Sequence, residues 1–469
     1  MIGSLIGKLS GVLYYPILII VLIVAGLYFS WKTKFVQIRL FQEALRVISE
    51  KPEKEGSVSS FQALMVSTAS RVGTGNIVGV STAVCLGGYG SVFWMWLIAI
   101  VGGASAFVES TLAQIYKRRD KNGDSYGGPA YYIQYALHNR GIAVLFAIFL
   151  VLTYAGGFNM LASYNLQSSF AAYSFYNPTV TPWIIGAVMA VLVGWCIMGG
   201  GKRVVKVASA LVPIMGVIYV GVALIIILLN IGSIPAIFAE IFRDAFDFKA
   251  IFGGVAGSCM MYGIKRGLYS NEAGVGSAPN AAAAADVSHP VKQGLVQMFS
   301  VFLDTIVICT ATALMCLCSG VPATAEVAGA PYVQQAVSTV FGSFGPIFVT
   351  VSMALFAFTT LIGNFFYVDN CLAFINKGEM PSDKFMKGFR VVAALVIFLG
   401  AGLSMGMAWD IADVLMAFMC LINIPACFCL GHIAIACLQD YEDQIKEYKN
   451  PVFRAETLEL PAGELDYWI

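Results

Sequence analysis

The sequence predicts an all-α membrane protein: one N-terminal transmembrane helix, then a five-plus-five inverted repeat with core helices 1 and 6 broken, eleven spans in all. Three observations carry this expectation. Of 469 residues, 58% are hydrophobic and 12% charged, about half the charged share of a soluble chain. Apolar windows of about 20 residues, the length that crosses a bilayer, recur along the whole chain. Two windows are interrupted by closely spaced glycines, Val72-Gly73-Thr74-Gly75-Asn76 and Gly253-Gly254-Val255-Ala256-Gly257. Hydrocarbon tolerates irregular backbone only where it faces protein or a wet cavity, so paired interruptions point to a solute site near the midplane, as in a secondary transporter.

Taken in order, residues 1–31 hold the apolar window 11–30, which has no small-residue cleavage site behind it and is expected to stay as a helix. Residues 32–60 form a cytoplasmic, interfacial segment. There Val36, Leu40, Phe41, Ala44, Leu45 and Ile48 share one helical face opposite Arg39, Glu43 and Arg46, the pattern of a helix lying on a membrane or packed on the core. The first repeat, 61–229, contains windows 61–89, 91–116, 142–171, 181–199 and 207–229. The second, 230–437, contains 246–267, 292–318, 341–373, 388–405 and 409–437, and 438–469 is a cytoplasmic tail. With eleven spans, the basic clusters within 32–54, 117–140, 202–206, 265–292, 377–390 and 446–454 fall on one side, and only Lys8, Arg243 and Lys249 land opposite. Positive charge collects in the cytoplasm, so the N-terminus is expected outside and the C-terminus inside.

The breaks fall in core spans 1 and 6, and a spacing of five spans inverts the second copy. Unwinding at Gly73–Gly75 frees N–H groups at the start of the next half-helix, where the dipole suits a carboxylate. Carbonyls that end a half-helix suit an ammonium group or a dehydrated cation. A packing motif at Gly75-x-x-x-Gly79 is the bland alternative; Thr74 and Asn76 among the glycines, with the second break, favour a site. Arg71 is costly inside a bilayer and is expected either to attract a carboxylate or to pair with Glu109 in core span 2. Thr359 and Thr360 in core span 8 offer adjacent hydroxyls for a small hard cation, or back-bonds to their own helix. For Asp304, Asp369, Asp410 and Asp413, capping or structural pairing explains as much as proton transfer.

Other classes find less support. A net charge of +1 gives no reason to expect nucleic acid. The eleven cysteines lie mostly in apolar windows without polar ligand partners, so neither a disulfide framework nor a transition-metal site is expected. His138, His289 and His432 are scattered, no His-Glu-x-x-His or Gly-x-Ser-x-Gly occurs, and an enzyme is not expected. A channel would need a filter motif, and a nutrient sensor a large soluble output domain.

The run around Ala69-Ser70-Arg71-Val72-Gly73-Thr74-Gly75-Asn76 resembles a signature of the alanine/glycine:cation symporters. So do Phe93-Trp94-Met95-Trp96, Gly127-Gly128-Pro129-Ala130-Tyr131-Tyr132 and, most specifically, the run Arg266-Gly267-Leu268-Tyr269-Ser270-Asn271-Glu272-Ala273-Gly274-Val275-Gly276. The resemblance implies a LeuT-like fold, shared with neurotransmitter:sodium symporters, in a multi-pass cell-membrane protein. It implies no cofactor, and symport of a small neutral amino acid such as alanine, glycine, serine or glutamine with Na⁺ (or H⁺). It implies substrate contacts at Gly73, Thr74, Gly75 and Asn76, and carbonyls of Gly253, Gly254 and Gly257 for the substrate amine. The cation would take carbonyls of Ala69 and Val72 with the hydroxyls of Thr359 and Thr360. Ser270, Asn271 and Glu272, in a block expected at the cytoplasmic end, would be structural or gating residues, as would Arg71 and Glu109. Asn364 stands where the family often has Trp, which enlarges the pocket or adds a hydrogen bond and brings glutamine within range. Gln167 would fill the place of the family's core-span-3 glutamine.

Overall fold

A computed structural model describes residues 2–52, 54, 56–119, 125–247, 258–447, 450–458 and 465–468. The glycine-rich stretch 253–257 lies outside the described residues. Helix α1 (Gly3–Lys32) is followed by the short α2 (Phe41–Ile48). Helix α3 (Ser60–Arg71) starts on a capping box, in which Ser59 and Gln62 bond each other's backbone N–H through their side chains. It ends at Arg71, and α4 (Gly75–Gly87) takes up the helix again. The order continues with α5 (Gly90–Ile115), α6 (Arg140–Ala172), α7 (Thr181–Ile197), α8 (Gly200–Leu229) and α9 (Ile234–Ala245). After the undescribed stretch come α10 (Cys259–Asn271), α11 (Pro279–Ala284) and α12 (Pro290–Cys318). Then follow α13 (Ala330–Phe341), α14 (Phe344–Ile375), α15 (Asp383–Gly400) and the 42-residue α16 (Met405–Lys446), with Pro425 inside it. A two-residue ladder pairs Arg118 with Tyr126 and Arg119 with Ser125.

Among the described residues, seven helices are long and apolar enough to cross a membrane: α1, α5, α6, α8, α12, α14 and α16. The remaining windows correspond to shorter pieces, α3 with α4, α7, α10 and α15. Apolar side chains fill the interior and also cover much of the outside. Large apolar side chains such as Ile20, Val24, Val217 and Leu228 are exposed on the outside. Asn76, Glu109, Asn271, Glu272, Asp304, Asn364 and Asn423 are buried in the middle, the arrangement a hydrocarbon surround selects. Small residues bring helices to backbone contact: a Cβ on Gly263 of α10 would sit 2.4 Å from the Ser91 carbonyl oxygen of α5.

The contacts of residues 36–48 fit the second of their two readings, a helix packed on the core, and one other expectation changes here. Residues 36–48 are fastened to the protein: Val36, Ala44 and Val47 are buried, Phe41 meets Phe302 edge-on at 4.9 Å, and Arg39 pairs with Glu442 at 2.7 Å. Lys265 and Arg266, counted above as loop charges, are buried within α10, where Asp413 of α16 neutralises both at 3.0 and 3.3 Å. That pairing lets the helix run on to Asn271, past the end of its apolar window.

Candidate functional site

The first interruption occupies residues 72–74. Val72 leaves the helix with φ −75° and ψ 88°, and the chain re-enters through a wide π-type turn, Gly75–Gly79. Crowding explains the glycines: a Cβ on Gly73 would lie 2.1 Å from Thr360 Oγ1, and one on Gly75 2.5 Å from the Tyr269 ring. Asn76 ties the gap together. Its Oδ1 accepts from Gly73 N at 2.8 Å, and its Nδ2 donates to Ser270 Oγ at 3.1 Å and Asp304 Oδ1 at 2.7 Å. Thr74 Oγ1 accepts from Asn165 Nδ2 at 3.0 Å.

The second interruption lies at residues 272–278, between α10 and α11. Glu272 adopts the left-handed region (φ 53°), and Gly274 and Gly276 follow at φ 82° and 89°. The block containing Ser270, Asn271 and Glu272 is therefore central, in contact with Asn76, and not at one end of the molecule. Glu272 accepts from Ser277 Oγ at 2.7 Å, and Asn271 Oδ1 from Ala273 N at 3.0 Å. Glu109 accepts from Gly274 N at 3.3 Å and from Asn423 Nδ2 at 2.7 Å, while Tyr132 donates to Asn423 Oδ1. Buried backbone groups freed by unwinding thus find partners on α5 and α16.

Asp304 joins the two gaps. It sits in the π-type stretch Phe302–Cys309 of α12 and also accepts from Ser270 Oγ at 2.7 Å and Thr305 Oγ1 at 2.9 Å. An Asp in an apolar window was visible in the sequence, but Asn76 and Ser270 come from two other segments, and only Thr305 is its neighbour in the chain. On the other side, α14 lies directly on the last turn of α3, since a Cβ on Gly363 would be 2.8 Å from Ser70 N and 3.2 Å from the Ala69 carbonyl carbon. Thr360 Oγ1 is buried without a hydrogen-bond partner, against Gly73. Thr359 instead donates back to Leu355 O at 3.1 Å and Phe356 O at 3.2 Å.

Asn364 accepts from Ser70 Oγ at 2.6 Å and donates to Asn159 Oδ1 at 2.8 Å, joining α3, α14 and α6. Gln167 accepts from Tyr176 OH at 2.9 Å; Asn165 is the α6 residue bonded to the first gap. Arg71 donates to the Gln297 carbonyl at 3.3 Å, its Nε and Nη2 have no hydrogen-bond partner, and no ion pair within 4.0 Å joins it to Glu109 among the described residues. The Tyr269 ring beside the first gap meets Phe158 tilted at 4.8 Å and Trp409 edge-on at 4.9 Å, and Arg266, held by Asp413, lies 3.7 Å from the Trp409 ring centre.

A buried polar centre built on chain interruptions inside an apolar helical shell defines a multi-pass membrane transporter. The fold is that of MhsT: its crystal structure with L-phenylalanine superposes with a TM-score of 0.55 at 16% identity, over 87% of this chain and 94% of that one. The chain belongs to the sodium:alanine symporter family, whose sequence model matches residues 1–455. The probable sodium/glutamine symporter GlnT of Bacillus subtilis is 41% identical over 99% of this chain and 95% of its own length. The putative sodium/proton-dependent alanine carrier YrbD of the same organism is 38% identical over 99% and 97%. The protein is accordingly a cation-coupled amino-acid symporter and not an enzyme.

Proposed function

We propose that the chain carries Na⁺ and one small neutral amino acid, among alanine, glycine, serine and glutamine, in the same direction by alternating access. One observation carries this reading: the helices flanking the two interruptions meet through the Asn76–Ser270 hydrogen bond, with the Thr360 hydroxyl left free against Gly73. In this reading eleven spans cross the membrane, N-terminus outside and C-terminus in the cytoplasm. Helices α3 and α4 are the halves of core helix 1, and α10 and α11 those of core helix 6. The substrate carboxylate meets the N-terminal end of α4. The ammonium group meets carbonyls at the end of α10; residues 253–257, expected from the sequence to supply such carbonyls, lie outside the described residues. Sodium takes Thr360 Oγ1 with the carbonyls of Ala69 and Val72, an all-oxygen shell of the kind small hard cations prefer. The amide of Asn364 and the similarity to GlnT favour admitting glutamine.

Uptake into proteoliposomes tests this directly. Accumulation is expected only under an inward Na⁺ gradient, and gradient-independent uptake would exclude sodium coupling. Asp304, bonded to Asn76, favours proton coupling as the second reading. In that case a pH gradient alone drives uptake, and Asp304→Asn abolishes the response.

A further inference from the structure

The short segment carrying Asp466, Tyr467 and Trp468 is folded onto the face where α11 ends. Trp468 is only 9% exposed; its Nε1 donates to the Gln114 carbonyl of α5 at 2.8 Å, and its ring meets Phe453 at 5.3 Å. Tyr467 OH donates to Asp286 Oδ1 at 3.0 Å. The Lys117 ammonium lies 3.6 Å from the Tyr467 ring centre and donates to the Ala285 carbonyl at 3.0 Å. Asp466 Oδ2 accepts from Arg119 N at 3.1 Å.

Asp286 is the centre of this knot. Its Oδ2 accepts from Lys54 N at 2.7 Å and its own N–H donates to Val58 O at 2.9 Å, so it also holds the lead-in to α3. Asp286 thus ties the chain leaving α11 to the chain entering α3, Gln114 and Lys117 tie it to the end of α5 through the Ala285 carbonyl, and the aromatic pair clamps both joins through Asp286 and Gln114. Beside the knot opens a cavity of about 850 Å³, with Gln62, Asn280, Asp286, Phe366, Asn370 and Tyr467 in its wall. Asn280 in that wall donates to the Gly276 carbonyl at 3.1 Å and the Ser277 carbonyl at 2.8 Å, so the cavity abuts the second interruption.

We propose that Tyr467 and Trp468 form a latch on this cavity. Docked, they hold residues 285 and 286, and with them α3 and α11, against α5 and close the way from the central site. Released, they let both half-helices swing and the cargo leave through the cavity. The role as an exit rests on the transport reading above; the closure itself does not.

The test places a reporter in the cavity wall by Ala284→Cys, in otherwise full-length protein in detergent, and follows its reaction with a bulky charged maleimide by mass spectrometry. Tyr467→Ala and Trp468→Ala are each expected to raise the labelling rate at position 284 about tenfold, the shift from losing one hydrogen bond and one aromatic or cation–π contact. Trp468→Phe, which keeps the ring but not the N–H, gives a smaller rise. Exposed Cys429 and buried Cys196 serve as references in the same spectra. Labelling at position 284 that stays at the parent rate overturns the latch. So does labelling that rises only in step with Cys196, which reports unfolding. The readout needs neither ion nor amino acid, so a failed uptake assay leaves it intact.

Discussion

The two interruptions differ in how they are held open. At residues 72–74 the gap is a matter of crowding: the Thr360 hydroxyl and the Tyr269 ring stand where side chains would be, and one amide, Asn76, spans the turn. At 272–278 the gap is conformational, with Glu272 left-handed, two positive-φ glycines, and props from Glu109 and Asn423 on other helices. The first brings side chains of α14 and α10 hard against bare backbone, and in the transport reading suits direct contact with cargo. The second offsets its unwinding by buried hydrogen bonds and suits a hinge. Changes at the first should therefore strike binding and transport, and changes at the second stability.

The largest effect is expected from Gly73→Ala, whose methyl cannot coexist with Thr360 Oγ1: uptake should fall by about 100-fold or more in proteoliposomes, with the protein still folded. At the second gap, Gly276→Ala meets both its φ of 89° and Pro129 at 2.7 Å. It should cost about 2–3 kcal/mol, read as a lowered melting temperature in detergent. If this variant melts like the parent, the contrast between the gaps is lost. A finer distinction lies within α14. Thr360→Ala should raise the Na⁺ concentration for half-maximal uptake about tenfold, the loss of roughly 1.4 kcal/mol of ion binding. Thr359→Ala and Thr339→Ala, whose hydroxyls bond back to their own helices, should move it far less. Equal shifts would remove the assignment of the free hydroxyl.

The smallest effect lies outside both gaps. Burial pushes the His289 imidazole below its ordinary range, against the opposing pull of Asp440 at 3.0 Å. The folded protein thus takes up that proton less readily than the unfolded chain. The resulting stability is fully present above about pH 6.5 and is lost as pH falls toward the lowered value. Melting temperature should drop modestly from about pH 7.5 to about pH 5.5, and His289→Gln should flatten part of that slope.

The membrane class and the first gap were legible because both are local: apolar windows, and glycines with Thr74 and Asn76 between them. The second gap was not. Gly274 and Gly276, spaced by one residue, are a faint signal, and Lys265 and Arg266 look like the end of a span. Their neutralising partner, Asp413, is far away in sequence and has no local trace. Likewise Thr359 and Thr360 are indistinguishable as letters; helix phase alone decides which hydroxyl meets Gly73. The same holds for Asn165 and Gln167, two residues apart on α6, of which only Asn165 bonds to Thr74.

Helix α16, 42 residues long, measures roughly 60 Å, about twice the thickness of the hydrocarbon layer. Trp409 and Asp413 near one end grip Tyr269 and Arg266, while Tyr441 and Glu442 near the other grip Glu43 and Arg39. Pro425, midway, removes one rung of the ladder and supplies a fulcrum. Anchors at both extremities of the molecule thus hang on one helix.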